Sequence, residues 1–193
     1  MIKPQLLEGR PKDETGRLAR ELRVYDFLDH LNISYWRADH EQVSTMQDLP
    51  EVDKALGVVM CKNLFLCNRQ KTDFYLLCMP ADKPFKTKEL SGQLGISRLS
   101  FAEPEYLLSF LDIEPGAVSI MGLMNDREMR VRLLMDEDLK EVAYFGCHPC
   151  VSTTSMRFKM SDIQEIYLPV TEHEPTWVKL TGEQAKTQGT YDG

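Results

Sequence analysis

Two apolar runs near the middle of the chain constrain its fold more than any other feature. Residues 58–67 and 73–79 consist mainly of aliphatic, aromatic and cysteine side chains, and only residues 68–72 separate them. Five residues can close a hairpin, whereas a crossover between parallel strands needs a dozen or more. The connection at 136–140 is equally short. The sheet therefore cannot be purely parallel.

Helical patterns alternate with strand-like segments on both sides of this hairpin. Apolar residues recur at three- and four-residue spacings from Leu18 to Leu31, which predicts a helix between Thr15 and Asn32. Without strict βαβ alternation along the chain, we expect an α/β (mixed α+β) fold in which helices cover a mixed sheet. Further helices are predicted at 44–57, 87–94, 103–111 and 161–166. Strands or other apolar segments are predicted at 34–39, 117–124, 130–135, 141–145 and 177–180.

Length and composition indicate one soluble domain, with 193 residues of which 42% are hydrophobic and 27% charged. No run approaches the roughly 18 apolar residues that a membrane helix needs. The first ten residues lack the apolar core of a signal peptide, so a cytoplasmic protein is expected. Five cysteines are an odd number, which argues against a complete disulfide framework and predicts reduced thiols.

The charge balance limits how the chain can contact nucleic acid. A net charge of -7 and a pI of about 5.2 provide no global field that attracts a polyanion. Any RNA contact must therefore use a local cluster, with modest and salt-sensitive affinity. The densest basic stretch contains Lys83, Lys86, Lys88 and Arg98. Solvated helix flanks are one interpretation of these four side chains.

Four short strings of chemically distinctive residues follow one another along the chain: Cys61-Lys62-Asn63-Leu64-Phe65-Leu66, residues 98–102 with 113–118, Gly122-Leu123-Met124-Asn125-Asp126, and residues 146–155. In this order and at these separations they resemble the YbaK/prolyl-tRNA synthetase-associated (editing) domain family, and within it the free-standing prolyl-tRNA deacylases of the ProXp-ala/PrdX type. The resemblance covers about residues 17–180, which leaves an N-terminal arm at 1–16 and a polar tail at 181–193, predicted to be disordered.

The resemblance implies a curved, mixed sheet wrapped by helices, with a pocket for a small amino acid esterified to a tRNA 3′ end. The implied activity is hydrolysis of that ester in trans, with alanine on the tRNA for proline as the expected substrate. The implied partners are the 3′ end and acceptor stem of the aminoacyl-tRNA and, besides them, an aminoacyl-tRNA synthetase. Neither a metal nor a diffusible cofactor is implied, and no membrane or DNA contact is expected. A binding module of the same fold without turnover is the alternative.

Lys62 is the first candidate for a catalytic residue. A lysine inside the most apolar strand of the chain is unusual. Its stem can lie along a half-buried strand while the ammonium reaches water, which requires no function. In related deacylases the lysine of this string is the residue implicated in activity. An ammonium at a pocket mouth can hold the terminal phosphate and so place the ester beside its attacking water.

His148 is the second candidate, in the string Gly146-Cys147-His148-Pro149. Gly146 permits backbone conformations that other residues resist, and Pro149 restricts the turn. A rigid loop of this kind can direct backbone N–H groups at a developing oxyanion. In the family a loop with this His-Pro pair lines the pocket, which implies a role for His148 in placing the substrate. A histidine in a surface loop is the alternative.

The resemblance implies further contacts with the substrate. Gly122, Asn125, Gly146, Pro149, Ser152 and Thr154 correspond to pocket positions, although Gly122 and Asn125 also fit a simple turn. Relatives usually carry asparagine where Ser152 stands, so this chain keeps a hydroxyl but loses an amide donor. That departure concerns amino-acid specificity more than reaction class. For the basic stretch, the resemblance implies contact with the tRNA acceptor stem.

A C-x-x-C string at Cys147 and Cys150 raises the question of redox or metal chemistry. In thioredoxin-like proteins this motif opens a helix early in the chain, whereas here it is late and followed by residues that favour strand or loop. Two thiols supply only half of a zinc site, and no second pair has the right spacing. Ester hydrolysis also needs no triad, because the aminoacyl ester is already activated and requires chiefly a positioned water.

Overall fold

The computed structural model describes residues 4–41, 49–58 and 60–181. The strands are β1 Leu7–Glu8, β2 Tyr35–Asp39, β3 Cys61–Cys67, β4 Phe74–Pro80, β5 Ser100–Phe101, β6 Val131–Asp136, β7 Tyr144–Cys147, β8 Thr154–Lys159 and β9 Thr176–Val178. The α-helices are α1 Ala19–His30, α2 Leu49–Leu56, α3 Thr87–Leu94, α4 Pro104–Leu111, α5 Met160–Asp162 and α6 Leu168–Thr171. Short 3-10 helices span Ile120–Asn125 and Glu137–Leu139, and a π-helical turn, Ile163–Tyr167, joins α5 to α6.

The strands form two sheets. The first has the order β1-β2-β8-β7 and is antiparallel throughout. The second has the order β5-β3-β4-β6-β9 and is mixed, because β4 pairs with β6 and β6 with β9 in parallel. The mixed α/β class and the hairpin across 68–72 are confirmed. The connection at 136–140 leads from the second sheet to the first, so its shortness reflects a change of sheet and not a hairpin.

Local signals predict most elements to within a few residues. The predicted helix at 87–94 is confirmed, and it ends at Gly95, whose φ of 66° suits glycine. Pro104 occupies the first turn of α4, where its missing N–H leaves no bond unmade. The apolar segment 117–124 contains the first 3-10 helix rather than a strand. Residues 44–48 of one predicted helix and 182–193 of the predicted tail lie outside the described residues.

The second sheet separates two apolar clusters. One face packs with α1, α4 and the first sheet in the main core, which contains Phe65 and Cys78. The other face, with Leu66 and Leu77, is covered by α3. Because side chains alternate along a strand, Lys62 shares the α3 face with Leu66. Along 4–41, 49–58 and 60–181, no helix has the length and apolarity needed to cross a membrane.

Candidate active site at the junction of the two sheets

The two predicted catalytic residues lie near the point where the two sheets meet. Met60, just before β3, and Gly146, within β7, form an isolated parallel bridge. In a parallel bridge, the two backbone segments continue in the same direction beyond the paired residues. Lys62 and His148 each follow it by two residues, and the junction therefore brings together the two strings that carry them.

Gly146 permits this close approach. A Cβ atom at Gly146 would lie 3.1 Å from the Met60 Sδ, 3.1 Å from Val58 Cγ1 and 3.3 Å from the Met60 Cα. These distances are at the short limit of real contacts, and one partner is backbone. The structure thus gives Gly146 a packing role at the junction that supports the placement of His148.

Lys62 is half-buried, and its ammonium is anchored. The Nζ donates a hydrogen bond of 2.8 Å to the carbonyl oxygen of Lys83. This carbonyl uses one of the three donors of the ammonium. No carboxylate among the described residues forms an ion pair with Lys62. The ammonium is therefore a held positive charge with donors to spare, which an anion could use.

His148 is held as a neutral imidazole with a defined tautomer. Its Nδ1 lies 2.9 Å from the carbonyl oxygen of Thr154. Since a carbonyl only accepts, Nδ1 carries the proton and Nε2 is a bare acceptor. Burial lowers the pKa of His148 below its usual value, the bond to Thr154 opposes this, and His40 lowers it further. The His148 carbonyl accepts a 2.5 Å bond from the Ser119 hydroxyl, which anchors the loop.

The hydroxyls of Thr154 and Ser155 face opposite ways, as successive side chains of a strand do. The Thr154 Oγ1 contacts Glu21 at 3.1 Å and Asp39 at 3.2 Å, inside a buried polar network. The Ser155 Oγ lies 3.4 Å from the His148 Nδ1. Thr154, a predicted substrate contact, therefore meets His148 only through its carbonyl, whereas Ser155, which the sequence patterns do not single out, lies beside the ring.

No hydrogen bond among the described residues joins Gly122 or Asn125 to His148 or Lys62. The Asn125 amide donates a 2.8 Å bond to the carbonyl of Leu111 and so closes the end of α4. A Cβ at Gly122 would lie 2.6 Å from Ile113 Cδ1 and 2.9 Å from Leu111 Cβ. The structure gives both residues a role in packing the 3-10 helix against α4. Their assignment to the pocket stays a prediction.

Replacement of Gly122 by alanine is expected to destabilise the protein by about 1–3 kcal/mol, because the added methyl overpacks a rigid contact with Leu111 and Ile113. The measurement is the urea dependence of unfolding, followed by circular dichroism. Gly92→Ala is the matched control, since a Cβ at Gly92 meets nothing within 4 Å. Equal stability of the two variants would contradict the packing role.

The thiols of Cys147 and Cys150 are buried and free. Burial raises the pKa of the Cys150 thiol to about 12 and that of Cys147 further still. A thiol that stays protonated is a poor nucleophile and a poor redox group. Within the described ranges, no three His, Cys, Asp or Glu side chains are grouped so that they could hold a metal ion. Pro149 is buried beside these thiols, and Ser152 is half-buried in the turn before β8.

The predicted tRNA-contact residues divide into two groups. Lys83 is paired with the buried carboxylate of Asp136 at 2.8 Å and with Asp138 at 2.7 Å. These ion pairs give Lys83 a structural role. Lys86, Lys88 and Arg98 line an open groove of about 1470 Å³ between α3 and β5. We call this surface the basic groove. Lys71, Phe85, Phe101 and Glu103 also line it.

Comparison with known protein families assigns this chain to a class. The model of that family matches residues 40–166. The chain therefore belongs to the aminoacyl-tRNA editing domain family.

Individual relatives narrow the comparison within the family. Prolyl-tRNA synthetase associated domain-containing protein 1 from Danio rerio is 34% identical over 161 residues, covering 82% of this chain and 85% of the relative. Prolyl-tRNA editing protein ProX from Acetoanaerobium sticklandii is 29% identical over 139 residues, covering 72% and 85%. The solved structure titled "Crystal structure of a putative trans-editing enzyme for prolyl tRNA synthetase" superposes with a TM-score of 0.62 at 15% identity, covering 84% and 98%. That last likeness concerns the fold.

Proposed function

We propose that this chain hydrolyses the ester of a mischarged small aminoacyl-tRNA in trans, with alanyl-tRNA for proline as its substrate. The observation that carries the proposal is the junction itself, where the anchored Lys62 ammonium and the bare Nε2 of His148 lie on adjoining segments. Family membership supports the substrate class, and the name of the ProX relative supports the link to prolyl-tRNA.

Hydrolysis of an activated ester requires few catalytic groups from the protein. In the proposed reaction Lys62 donates to the phosphate of the terminal nucleotide and fixes the ester. A water attacks the ester carbonyl and passes its proton to the His148 Nε2, either directly or through the vicinal ribose hydroxyl. The bond from the carbonyl carbon to the ribose oxygen then breaks, and that oxygen takes up the proton. The products are the free amino acid and the uncharged tRNA.

The basic groove is the proposed contact for the acceptor end of the tRNA. Lys71 is paired with Glu103, and the Arg98 guanidinium donates to the Thr87 hydroxyl. The ammonium groups of Lys86 and Lys88 form no ion pair or hydrogen bond with another described residue. Phe101 is 62% exposed and meets Phe85 with ring centroids 6.4 Å apart. Cations beside an exposed aromatic ring are the pattern that binds unpaired nucleotides. A local cluster of this kind compensates for the overall negative charge.

Loss of groove cations is expected to raise KM with little effect on the hydrolytic step. For Lys86→Ala with Lys88→Ala, we expect a weaker salt dependence, with the slope of log affinity against log salt reduced by about 0.7 for each phosphate that the variant no longer neutralises. The measurement is binding of uncharged tRNA between low and moderate salt. Lys12→Ala, at an exposed position in the N-terminal arm, is the control. An unchanged slope in the double variant would contradict a role of the groove in tRNA binding.

Incubation of the purified protein with alanyl-tRNA for proline at low salt tests the function. Other mischarged tRNAs, including seryl and prolyl esters, are assayed alongside. Faster loss of the small amino acid than spontaneous hydrolysis supports the proposal. Binding of charged tRNA without turnover would instead favour the non-catalytic module, for which the loss of the usual asparagine at Ser152 is the motivating observation. No acceleration with any small amino acid would remove the enzymatic proposal.

A further inference from the structure

A row of polar contacts connects His148 to a second histidine, and these contacts have no role in the reaction proposed above. The His40 Nε2 lies 2.9 Å from the Ser155 Oγ, and that oxygen lies 3.4 Å from the His148 Nδ1. The two rings meet edge to face, with centroids 6.4 Å apart. Ser155 is only 1% exposed, so its hydroxyl has little access to water and depends on these two neighbours.

The pairing of β2 with β8 brings these residues together. Ala38 is opposite Ser155, and the His40 N–H donates to the carbonyl of Thr153 at 2.9 Å. Directly paired residues point to the same face of an antiparallel sheet. His40, two residues beyond Ala38, shares that face, which is the face on which Ser155 meets His148.

Two backbone carbonyls, one beside each histidine, determine which ring nitrogens carry a proton. The His40 Nδ1 lies 2.8 Å from the carbonyl of Glu41, so this nitrogen carries a proton and Nε2 accepts. The His148 Nδ1 likewise donates to Thr154. The Ser155 hydroxyl therefore donates to His40, and its free lone pairs face the proton of His148. With both rings neutral, one arrangement of protons satisfies all of these contacts.

We propose that His40 and Ser155 are positioning residues that keep the proton of His148 on Nδ1. In water a neutral histidine side chain favours the opposite tautomer, with the proton on Nε2. That tautomer would present a donor where the proposed reaction needs an acceptor. The oriented Ser155 oxygen supplies a second acceptor beside the Thr154 carbonyl and holds the ring plane. This inference rests on the proposed function for its catalytic consequence, but the tautomer itself is independent of activity.

Nitrogen-15 NMR of histidine-labelled protein tests the tautomer directly. The chain has four histidines, and single His→Gln replacements assign their signals. Protonated-type Nδ1 and bare-type Nε2 signals for His148 are expected in the wild type. In Ser155→Ala the His148 signals should shift toward the Nε2–H form, while Ser155→Thr, which keeps the hydroxyl, should retain the wild-type pattern. An Nε2–H form in the wild type, or no shift in Ser155→Ala, overturns the inference.

Kinetics separate positioning from a structural role. Ser155→Ala and His40→Leu are expected to lower kcat about tenfold, with KM and the unfolding midpoint close to wild type. His40→Gln keeps an acceptor for Ser155 and should restore most of kcat. The exposed Ser161→Ala is the control. Unchanged kcat in an otherwise active enzyme overturns the inference. An inactive wild type removes the proposed function instead, and the NMR outcome still decides the tautomer.

Discussion

Lys62→Ala is expected to lower the rate of deacylation by on the order of 100-fold while the fold remains intact. The ammonium donates to the Lys83 carbonyl and has no carboxylate partner in the described part of the chain, so its remaining donors are available for a phosphate. Its removal takes away both the charge that binds the terminal nucleotide and the restraint that orients the ester. Single-turnover hydrolysis of alanyl-tRNA is the measurement.

Two further variants make the Lys62 experiment specific. Lys62→Met keeps the apolar stem beside Leu64 and Leu66 and removes only the charge, so it should be as inactive as Lys62→Ala. Lys62→Arg keeps the charge, but a planar fork does not reproduce a compact ammonium, and only partial activity is expected. Lys88→Ala, on the exposed rim of the basic groove, should leave the single-turnover rate at saturating tRNA unchanged. Full activity in Lys62→Met would show that the ammonium of Lys62 is only solvated and has no role in the reaction.

Glu21→Ala is expected to reduce the free energy of unfolding by about 3 kcal/mol. The Glu21 carboxylate is 3% exposed and accepts from Arg17 at 2.5 Å, from the Tyr25 hydroxyl at 2.7 Å and from Thr154 at 3.1 Å. Its loss leaves the buried Tyr25 hydroxyl without its acceptor and removes one of the two carboxylates that neutralise Arg17. Chemical denaturation followed by fluorescence and circular dichroism measures the change.

Glu114→Ala is the matched control for Glu21. Glu114 also pairs with an arginine, Arg20 at 3.1 Å, but its side chain is 65% exposed. Water and salt screen such a pair, and the expected loss is below about 1 kcal/mol. If the two glutamates proved equally costly to remove, the buried network would not be the source of the stability. Because Thr154 also holds the proton of His148, Glu21→Ala should lower activity as well.

Local chemistry makes much of the fold predictable. Residues 68–72 indicate the hairpin, and Gly95 marks the end of α3. β8 escapes prediction because it begins with two polar residues, although the alternation of buried Met156 and Phe158 with Arg157 and Lys159 is a readable signal. The division of strands between two sheets depends on long-range pairing, which no short pattern records.

The candidate site is predictable only in part, for the same reason. Lys62 and His148 stand out because their strings are chemically unusual, and the Met60–Gly146 bridge joins those strings in space. Ser155 and His40 are ordinary residues whose proximity follows from the register of β2 against β8. Lys83 resembles a surface cation in the sequence, yet it neutralises Asp136, which is fully buried. Burial of a carboxylate far along the chain cannot be read from the basic stretch alone.

Lys62 lies in a strand of the second sheet and His148 directly follows a strand of the first, and under the proposed function this division has a consequence for quality control. Each half of the site belongs to its own layer, and a backbone bridge between Met60 and Gly146 links the two at this point. A nascent or partly unfolded chain in which either layer is missing would have only one of the two proposed catalytic residues in place. Under the proposed function, such a chain would be unable to deacylate any tRNA. The proposed hydrolysis would therefore depend on completion of the tertiary structure.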